Sequence, residues 1–217
     1  MAHPSLHSEE RPFDPAGLSD NDLMTRLKEA PPAELAAGFE VLVHRYKNAI
    51  VSFLFRFVGD PRTAEDLAQE AFLRVFRKIA EYNSTAKFST WLYTIASNLA
   101  KDEFKRRSRH PAGSLDWESG KGADTTRNVP TAMAADDPGP DEELERGEVR
   151  EHVAAALKLL KEDDREILVL KDVQGLAYEE IARILDLPMG TVKSRISRAR
   201  LAFKDAWKRI GSSGGSV

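Results

Sequence analysis

The residues best suited to chemistry are cationic, and they cluster near the end of the chain. Between Gly190 and Ile210 the sequence carries seven basic residues and a single acid, Asp205. Lysine and arginine at helical spacing can hold phosphates and donate to guanine edges, and interspersed hydroxyls can contact either. This composition favours non-covalent recognition of nucleic acid over bond-making chemistry.

A shorter apolar-patterned stretch precedes these cations, and the two together read YEEIARILDLPMGTVKSRISRAR. This layout predicts a helix-turn-helix, in which two helices cross steeply over a tight turn. Ala182 is small where the helices would cross, and Asp186 stands where glycine is usual. We expect Asp186 to adopt the left-handed conformation that aspartate tolerates. Apolar residues occupy the positions that the small core of the motif requires: Ile181, Leu185, Leu187, Val192 and Ile196.

The second helix of this motif would be the recognition helix. Its inner stripe is predicted to be Val192, Ile196, Ala199 and Phe203. Thr191 and the N–H groups at the start of the helix suit a phosphate. A solvated basic helix is the alternative, but core, turn and polar outer face coincide and favour DNA binding. The predicted DNA-binding residues are Thr191, Lys193, Ser194, Arg195, Ser197, Arg198 and Arg200.

The fold class predicted from periodicity is all-α, in two small helical domains. Apolar residues recur at spacings of three and four through residues 19–108 and again through 143–210. No strand pattern or repeat is visible. In the first domain we expect four helices: one capped by Ser19, one from Pro32 to Val58, one from Ala64 to Glu81 capped by Thr63, and one from Ser89 to Arg107. In the second, Asp163 is expected to cap a helix that Gly175 ends, and Tyr178 to Leu185 to form the next.

An acidic connector separates the two domains. Residues 111–148 hold ten acids and three bases, together with several prolines and glycines. This composition predicts a flexible linker over residues 109–142. A second basic block precedes it, because residues 101–110 carry five basic and two acidic side chains. Residues 1–18 and 211–217 are predicted to be disordered.

Composition excludes several functional classes. The chain has no cysteine and five scattered histidines, so we expect no thiol chemistry, metal or other cofactor. No nucleophile stands beside a base and no glycine-rich phosphate loop is present, so an enzyme is not expected. No run approaches the ~20 apolar residues that span a bilayer, and the N-terminus lacks a signal peptide's apolar core. The sequence therefore predicts a cytoplasmic protein without membrane insertion, although its net charge of −3 gives no hint of a nucleic-acid partner.

Four segments, in this order, resemble the extracytoplasmic-function σ factors. AEDLAQEAFLRVFRKI resembles the polymerase-binding helix of σ region 2, and FSTWLYTIASNLAKDEFKRRSR resembles its promoter −10 segments. LLKEDDREILVLKDVQGLAYEEIARIL resembles the first half of region 4, and MGTVKSRISRARLAF resembles its −35-reading helix. The resemblance covers residues 19–108 and 143–208, and it implies a four-helix region 2 domain joined by the linker to a region 4 domain.

The resemblance implies that the chain binds core RNA polymerase, directs it to promoters and assists their melting. Region 4 would contact the −35 element and the flap of the second-largest polymerase subunit, and an anti-σ factor would control the protein. Region 2 would dock on the clamp helices of the largest subunit through Asp66, Gln69, Glu70, Arg74 and Arg77. The −10 element would be read by a base pocket in the loop Asn83, Ser84, Thr85, Ala86 and Lys87, and by Asn98, Lys101, Asp102, Lys105 and Arg106 on the helix that follows.

Other interpretations remain open at this point. A helix-turn-helix regulator could bind operators without docking on polymerase, and a helical adaptor could bind proteins only. The polymerase-binding face could be an exposed helix with pairs such as Glu70–Arg74, worth only ~0.2–0.5 kcal/mol each. Trp91 is more consistent with a core residue than with a melting wedge, and Tyr93 is undecided. The acidic connector could be a spacer or could follow a polymerase channel.

Overall fold

The computed structural model describes residues 13–109 and 140–213, the latter by backbone alone at 140–146, 148 and 213. Every regular element in these two stretches is helical. The first stretch contains α1 (Asp20–Leu27), α2 (Pro32–Val58), α3 (Pro61–Arg77), a 3₁₀ turn (Ile79–Glu81) and α4 (Phe88–Arg109). The second contains α5 (Pro140–Lys158), α6 (Glu162–Leu168) with a π-helical turn (Val169–Val173), α7 (Tyr178–Leu185) and α8 (Met189–Ser213). The predicted connector lies mostly outside the described residues, as do residues 1–12 and 214–217.

Local sequence signals set the ends of the first two helices. The Ser19 hydroxyl accepts from the Asp22 N–H at 3.3 Å and caps α1, as predicted. Pro32 begins α2 at a position where its missing N–H costs nothing. Gly59 ends α2 in the left-handed conformation, with φ of 79°, and its N–H donates to the Phe55 carbonyl at 2.7 Å. Glycine is required here because a Cβ would be strained.

The prediction that Thr63 caps α3 was wrong. Asp60 is the cap, and its carboxylate accepts from the Thr63 N–H at 2.8 Å and from the Thr63 hydroxyl. Pro61 then occupies the first helical position, which its fixed φ favours, so α3 starts earlier than predicted. It also ends earlier, at Arg77, where the 3₁₀ turn takes over.

The core of the first domain lies between α1, α2, α3 and α4. Gly38 of α2 lets α1 approach closely, because an added Cβ would lie 2.6 Å from the Leu27 side chain. Helical periodicity predicts that Phe76 faces inward with Phe72 and Val75, and this is wrong, since Phe76 is 40% exposed and packs edge-on against Phe39 at the rim. The largest fully buried side chains are Leu23, Met24, Phe53, Phe57 and Phe88.

One helix of the second domain begins differently from expectation. Asp163 does not cap α6, since Lys161 is the N-cap residue and makes no side-chain cap. Asp163 instead lies in an acidic first turn with Glu162 and Asp164, where negative charge complements the helix dipole. Gly175, with φ of 71°, follows the π-helical turn and ends this helical stretch as predicted.

Residues 13–18, at the end of the segment predicted to be disordered, contact arginines of the first two helices. The Arg45 guanidinium donates to the carbonyls of Ala16 at 2.7 Å and Leu18 at 3.0 Å. The Arg26 guanidinium lies 4.4 Å from the centre of the Phe13 ring. A polar segment is thus fixed by arginines of helices that follow it.

The two domains lie against each other. Helix α4 packs against α7, and α2 packs against α6 and the π-helical turn. Among residues 13–109 and 140–213, each helix is too short or too polar to span a bilayer.

Candidate nucleic-acid interface

The helix-turn-helix forms as predicted from α7 and α8. Asp186 joins them in the left-handed conformation, with φ of 51° and ψ of 52°. The Leu187 N–H donates to the Ala182 carbonyl at 2.9 Å and closes the turn. Val192, Ile196 and Ala199 are buried and Phe203 is half-buried, which confirms the inner stripe of α8.

The polar residues of α8 divide into two groups. Lys193, Ser194 and Ser197 are exposed beside half-buried Thr191. The three arginines instead lie against acids of the preceding helical stretch, pairing Arg195 with Asp163 at 3.3 Å, Arg198 with Asp164 at 3.5 Å and Arg200 with Asp172 at 2.5 Å. The hydrogen bonds and charge of Asp172 raise the pKa of Arg200 further above its usual value. Helix α8, the predicted recognition helix, is therefore cationic, and acids of its own domain partly neutralise its charge.

The loop before α4 is folded around Tyr82. Tyr82 is 3% exposed, and its hydroxyl donates to the Ala86 carbonyl at 3.0 Å. The Thr85 N–H donates to the Asn83 side chain at 3.1 Å, which makes a tight polar turn. Asn83, Ser84 and Thr85 are exposed at its tip. The structure thus brings the predicted pocket residues together, in a loop that is half-buried at Ala86.

Further along α4, the predicted −10 residues differ in their surroundings. Asn98, Asp102 and Lys105 are exposed. Arg106 pairs with Glu103 at 2.7 Å, and so does Arg107. The helix therefore ends in a basic surface that is partly neutralised by its own carboxylate.

Trp91 and Tyr93, whose positions the sequence did not settle, have different surroundings in the structure. Trp91 is half-buried and lies against the Tyr82 ring, with 5.4 Å between ring centres, as a core residue would. Tyr93 is 3% exposed, and its hydroxyl donates to the Gln174 side chain at 2.7 Å, in the other domain. Burial raises the pKa of Tyr93 above its usual value.

Sequence reasoning missed the contact between the domains. Lys87 lies 2.9 Å from Glu180 and Lys101 lies 3.1 Å from Glu166, so two predicted −10 cations pair with carboxylates of the second domain. Ser97 donates to the other oxygen of Glu166. Burial raises the pKa of Glu166, although Ser97 and Lys101 act in the opposite direction. The available signal was the spacing of Tyr93, Ser97 and Lys101, which places them on one face of α4.

The predicted polymerase-binding residues lie along the outer side of α3. Asp66, Gln69 and Arg77 are exposed, and Glu70 and Arg74 form an ion pair at 2.8 Å. The hydrogen bond from Arg74 holds the pKa of Glu70 below its usual value. Two large apolar side chains that the sequence analysis did not assign to this surface, Leu73 and Phe76, are 42% and 40% exposed on the same helix.

Comparison with known proteins identifies both domains. The family model of sigma-70 region 2 matches residues 42–110, and that of sigma-70 region 4 matches residues 150–203. The RNA polymerase sigma-H factor of Pseudomonas aeruginosa is 36% identical over 173 residues, which cover 78% of this chain and 86% of that protein. The chain belongs to the sigma-70 family. Within the family it is of the extracytoplasmic-function type, since the ECF RNA polymerase sigma-E factor of Escherichia coli K12 is 34% identical over 195 residues, covering 86% of this chain and 93% of that protein.

Solved structures share the sigma-70 fold with this chain. CnrH, solved with the cytosolic domain of CnrY, matches with a TM-score of 0.59 and 21% identity over 88% of this chain and 97% of that one. The sigma factor RpoE from Bartonella quintana, solved with the anti-sigma factor NepR, matches with a TM-score of 0.55 and 24% identity over 78% and 96% of the two chains. The predicted all-α architecture of region 2 and region 4 is confirmed.

Proposed function

We propose that this chain binds core RNA polymerase, directs it to promoters through their −10 and −35 elements and assists promoter melting. Region 4 would read the −35 element with the exposed side of α8, from Thr191, Lys193, Ser194 and Ser197, and with Arg195, Arg198 and Arg200 released from their acidic partners. Region 2 would read the −10 element with the Asn83–Lys87 loop and α4. As in its family, the chain would act as a non-enzymatic initiation factor.

The observation that carries this proposal is the exposed surface of α3. Its exposed apolar side chains, Leu73 and Phe76, follow the charged residues Asp66 and Glu70 along the helix and alternate with Arg74 and Arg77. Apolar side chains inside a polar rim are typical of protein-protein contact surfaces. A regulator that binds operators by itself would need the helix-turn-helix but not this second surface. The surface therefore favours docking on the polymerase clamp over the alternative function.

The remaining partners follow from the same family likeness. We propose that region 4 contacts the flap of the second-largest subunit and that the protein works in the cytoplasm, where polymerase acts. The structurally similar RpoE of Bartonella quintana forms a complex with the anti-sigma factor NepR. We propose a partner of this class here, covering the polymerase- and DNA-binding surfaces.

Run-off transcription tests the function directly. Core polymerase and a promoter library would be incubated with and without the protein. We expect new transcripts only when the protein is added to core polymerase. A gel shift separates the alternative, because a free regulator should retard duplex DNA without polymerase. Retardation by the chain alone, with no protein-dependent transcripts, would exclude the σ function.

Charge reversal on α3 tests the docking surface. We expect the double change Asp66→Lys and Glu70→Lys to abolish pull-down of core polymerase, because it replaces both acids by cations beside Arg74 and Arg77 and makes a surface of balanced charge strongly positive. Circular dichroism should show an unchanged fold, since both residues lie on the outer side of α3. Glu29→Lys, an exposed charge reversal after α1, is the control and should retain pull-down. Equal pull-down by all three proteins would reject the surface.

A further inference from the structure

A line of polar contacts joins α4 to the second domain. Tyr93, Ser97 and Lys101 follow one another at every fourth position and share a face of α4. The Tyr93 hydroxyl donates to Gln174 Oε1 at 2.7 Å, and the Ser97 hydroxyl donates to Glu166 Oε1. The Lys101 Nζ lies 3.1 Å from Glu166 Oε2. Each of the three side chains thus has a polar partner in the second domain.

Glu166 is the centre of this contact. Its side chain is only 3% exposed, and a buried carboxylate is costly unless it is paired and hydrogen-bonded. Both of its oxygens are engaged, one by Ser97 and one by Lys101, and both partners come from the other domain. This arrangement satisfies Glu166 when the domains are together, whereas water could hydrate it when they are apart. The contact is therefore suited to a reversible interface rather than to a folding core.

Further contacts extend the interface on both sides. Before α4, Lys87 lies 2.9 Å from Glu180, whose carboxylate also accepts from the Ala177 N–H at 2.8 Å. At the C-terminal end of α2, the Arg165 guanidinium donates to the Phe57 carbonyl at 2.9 Å, where a cation complements the helix dipole. The second domain thus bridges the loop before α4, the middle of α4 and the end of α2.

The interface engages two of the predicted −10 cations, Lys101 at 28% and Lys87 at 68% side-chain exposure, and leaves the outer side of α8 open. Lys87 and Lys101 pair with Glu180 and Glu166, whereas Lys193 and Ser197 of α8 remain exposed. We propose that the free chain rests in a closed state in which Glu166 and Glu180 occupy the positions of DNA phosphates on these two lysines. Contact of these two lysines with the −10 strand then requires the domains to separate. This proposal rests on the proposed function for its biological meaning, but closure itself can be measured without polymerase.

Closure and strand binding are coupled if the proposal holds. The same cations cannot pair with carboxylates and phosphates at once, so a closed molecule meets the strand without Lys87 and Lys101. The apparent affinity for single-stranded DNA is therefore lower when fewer molecules are open. Weakening the interface should therefore strengthen strand binding, even though no new contact to DNA is made.

Distance measurement tests closure on the full chain. The sequence has no cysteine, so Asn48→Cys on α2 and Lys204→Cys on α8 would carry the only two spin labels. Both positions are exposed. We expect one short distance in the free chain and, after Glu166→Ala, at least a tenfold rise in the ratio of long to short distances. That ratio corresponds to about 1.4 kcal/mol. Ser97→Ala, which removes the partner without touching the second domain, should act in the same direction.

Strand binding tests the phosphate-mimic role. The probe is a fluorescent oligothymidine, which presents phosphates without a promoter sequence. We expect Glu166→Ala to bind it about tenfold more tightly than the unaltered chain at low salt. Glu179→Ala removes an exposed carboxylate from α7 and is the matched control for net charge. It should leave both the distance and the affinity unchanged.

The outcomes separate the two proposals. A broad distance distribution in the unaltered chain, or equal affinity gains in Glu166→Ala and Glu179→Ala, would overturn the closed state. If the chain closes and opens as expected but no variant supports run-off transcription, the σ function is wrong and closure stands. If transcription is normal and no short distance is found, the closed state is wrong and the σ function stands.

Discussion

The two helices proposed to contact DNA, α4 and α8, balance their charges in different ways. On α8 the arginines are paired with acids of their own domain, from Asp163 to Asp172, while Lys193 and Ser197 face solvent. On α4 the cation Lys101 pairs with Glu166 of the other domain. Pairing within one domain leaves the outer side of α8 exposed beside the closed interface, whereas pairing between domains makes access to Lys101 depend on their arrangement.

This difference bears on the order of promoter recognition. A surface whose partners lie within its own domain needs only side-chain rearrangement to meet DNA. A surface whose partners lie in another domain needs that domain to move, which is slower and can be regulated. On this basis we expect the −35 contact to be available first and the −10 contact to follow separation of the domains.

The largest expected effect comes from truncating a side chain in the core of the region 4 domain. Ile196 is 2% exposed in the inner stripe of α8, and Ile196→Ala should cost ~2–5 kcal/mol, enough to unfold a small domain. Binding of the holoenzyme to −35-containing duplex should be lost. Affinity of the free chain for oligothymidine should rise, because an unfolded region 4 cannot cover α4. Urea unfolding and fluorescence anisotropy measure the two effects.

A nearby truncation serves as the control for this comparison. Leu201 is 60% exposed on the same helix, so Leu201→Ala should change stability by no more than about 0.5 kcal/mol. It should also leave oligothymidine binding unchanged. If Ile196→Ala weakened both duplex binding and oligothymidine binding, region 4 would not be masking α4 in the free chain, and the closed state would be contradicted.

A smaller effect is expected from removing the carboxylate partner of one arginine of α8. Asp172 accepts from Arg200 at 2.5 and 3.0 Å, and the two side chains are 40% and 51% exposed. Such exposed pairs are worth ~0.2–1 kcal/mol, so Asp172→Asn should raise holoenzyme affinity for −35-containing duplex by a factor of about 1.4 to 5. If Arg200 then holds a phosphate, the salt dependence should steepen by about 0.9 in slope. Asp205→Asn makes the same charge change on α8 itself, and an equal gain there would indicate a general charge effect.

The sequence predicted the parts of the fold that depend on local patterns. The bounds of α2, from Pro32 to Val58, match the structure because proline and glycine punctuate both ends. The cap of α3 was misassigned because Asp60 and Thr63 are both good capping residues, and only the geometry decides which accepts and which donates. Phe76 was misplaced because helical periodicity cannot distinguish a core position from an exposed apolar position at the rim.

Only those parts of the candidate site that lie within one continuous segment of sequence were predictable. Residues on α8 were accessible to sequence reasoning because core, turn and outer face fall within one continuous segment. The contact of Ser97 with Glu166 joins residues far apart in the chain, and neither residue type carries a periodic signature. The pairing of Arg198 with Asp164 was equally hidden, since acids in the first turn of α6 have a local explanation in the helix dipole. The assigned contacts to polymerase and promoter stay predictions.

The smallest expected effect lies in the turn that orients α8. Asp186 holds a φ of 51°, which glycine adopts at no steric cost and alanine does not. Asp186→Gly should stabilise region 4 by less than about 1 kcal/mol, because relief of strain is partly offset by the greater freedom of glycine in the unfolded chain. Asp186→Ala should destabilise it by up to about 2 kcal/mol. Urea unfolding measures both, and shifts in the same direction would mean that the turn is not held by its backbone conformation. Opposite shifts would show that the orientation of α8 depends on the backbone conformation of one residue in its own domain. The α4 surface differs, because Glu166, the partner of Lys101, lies in the other domain.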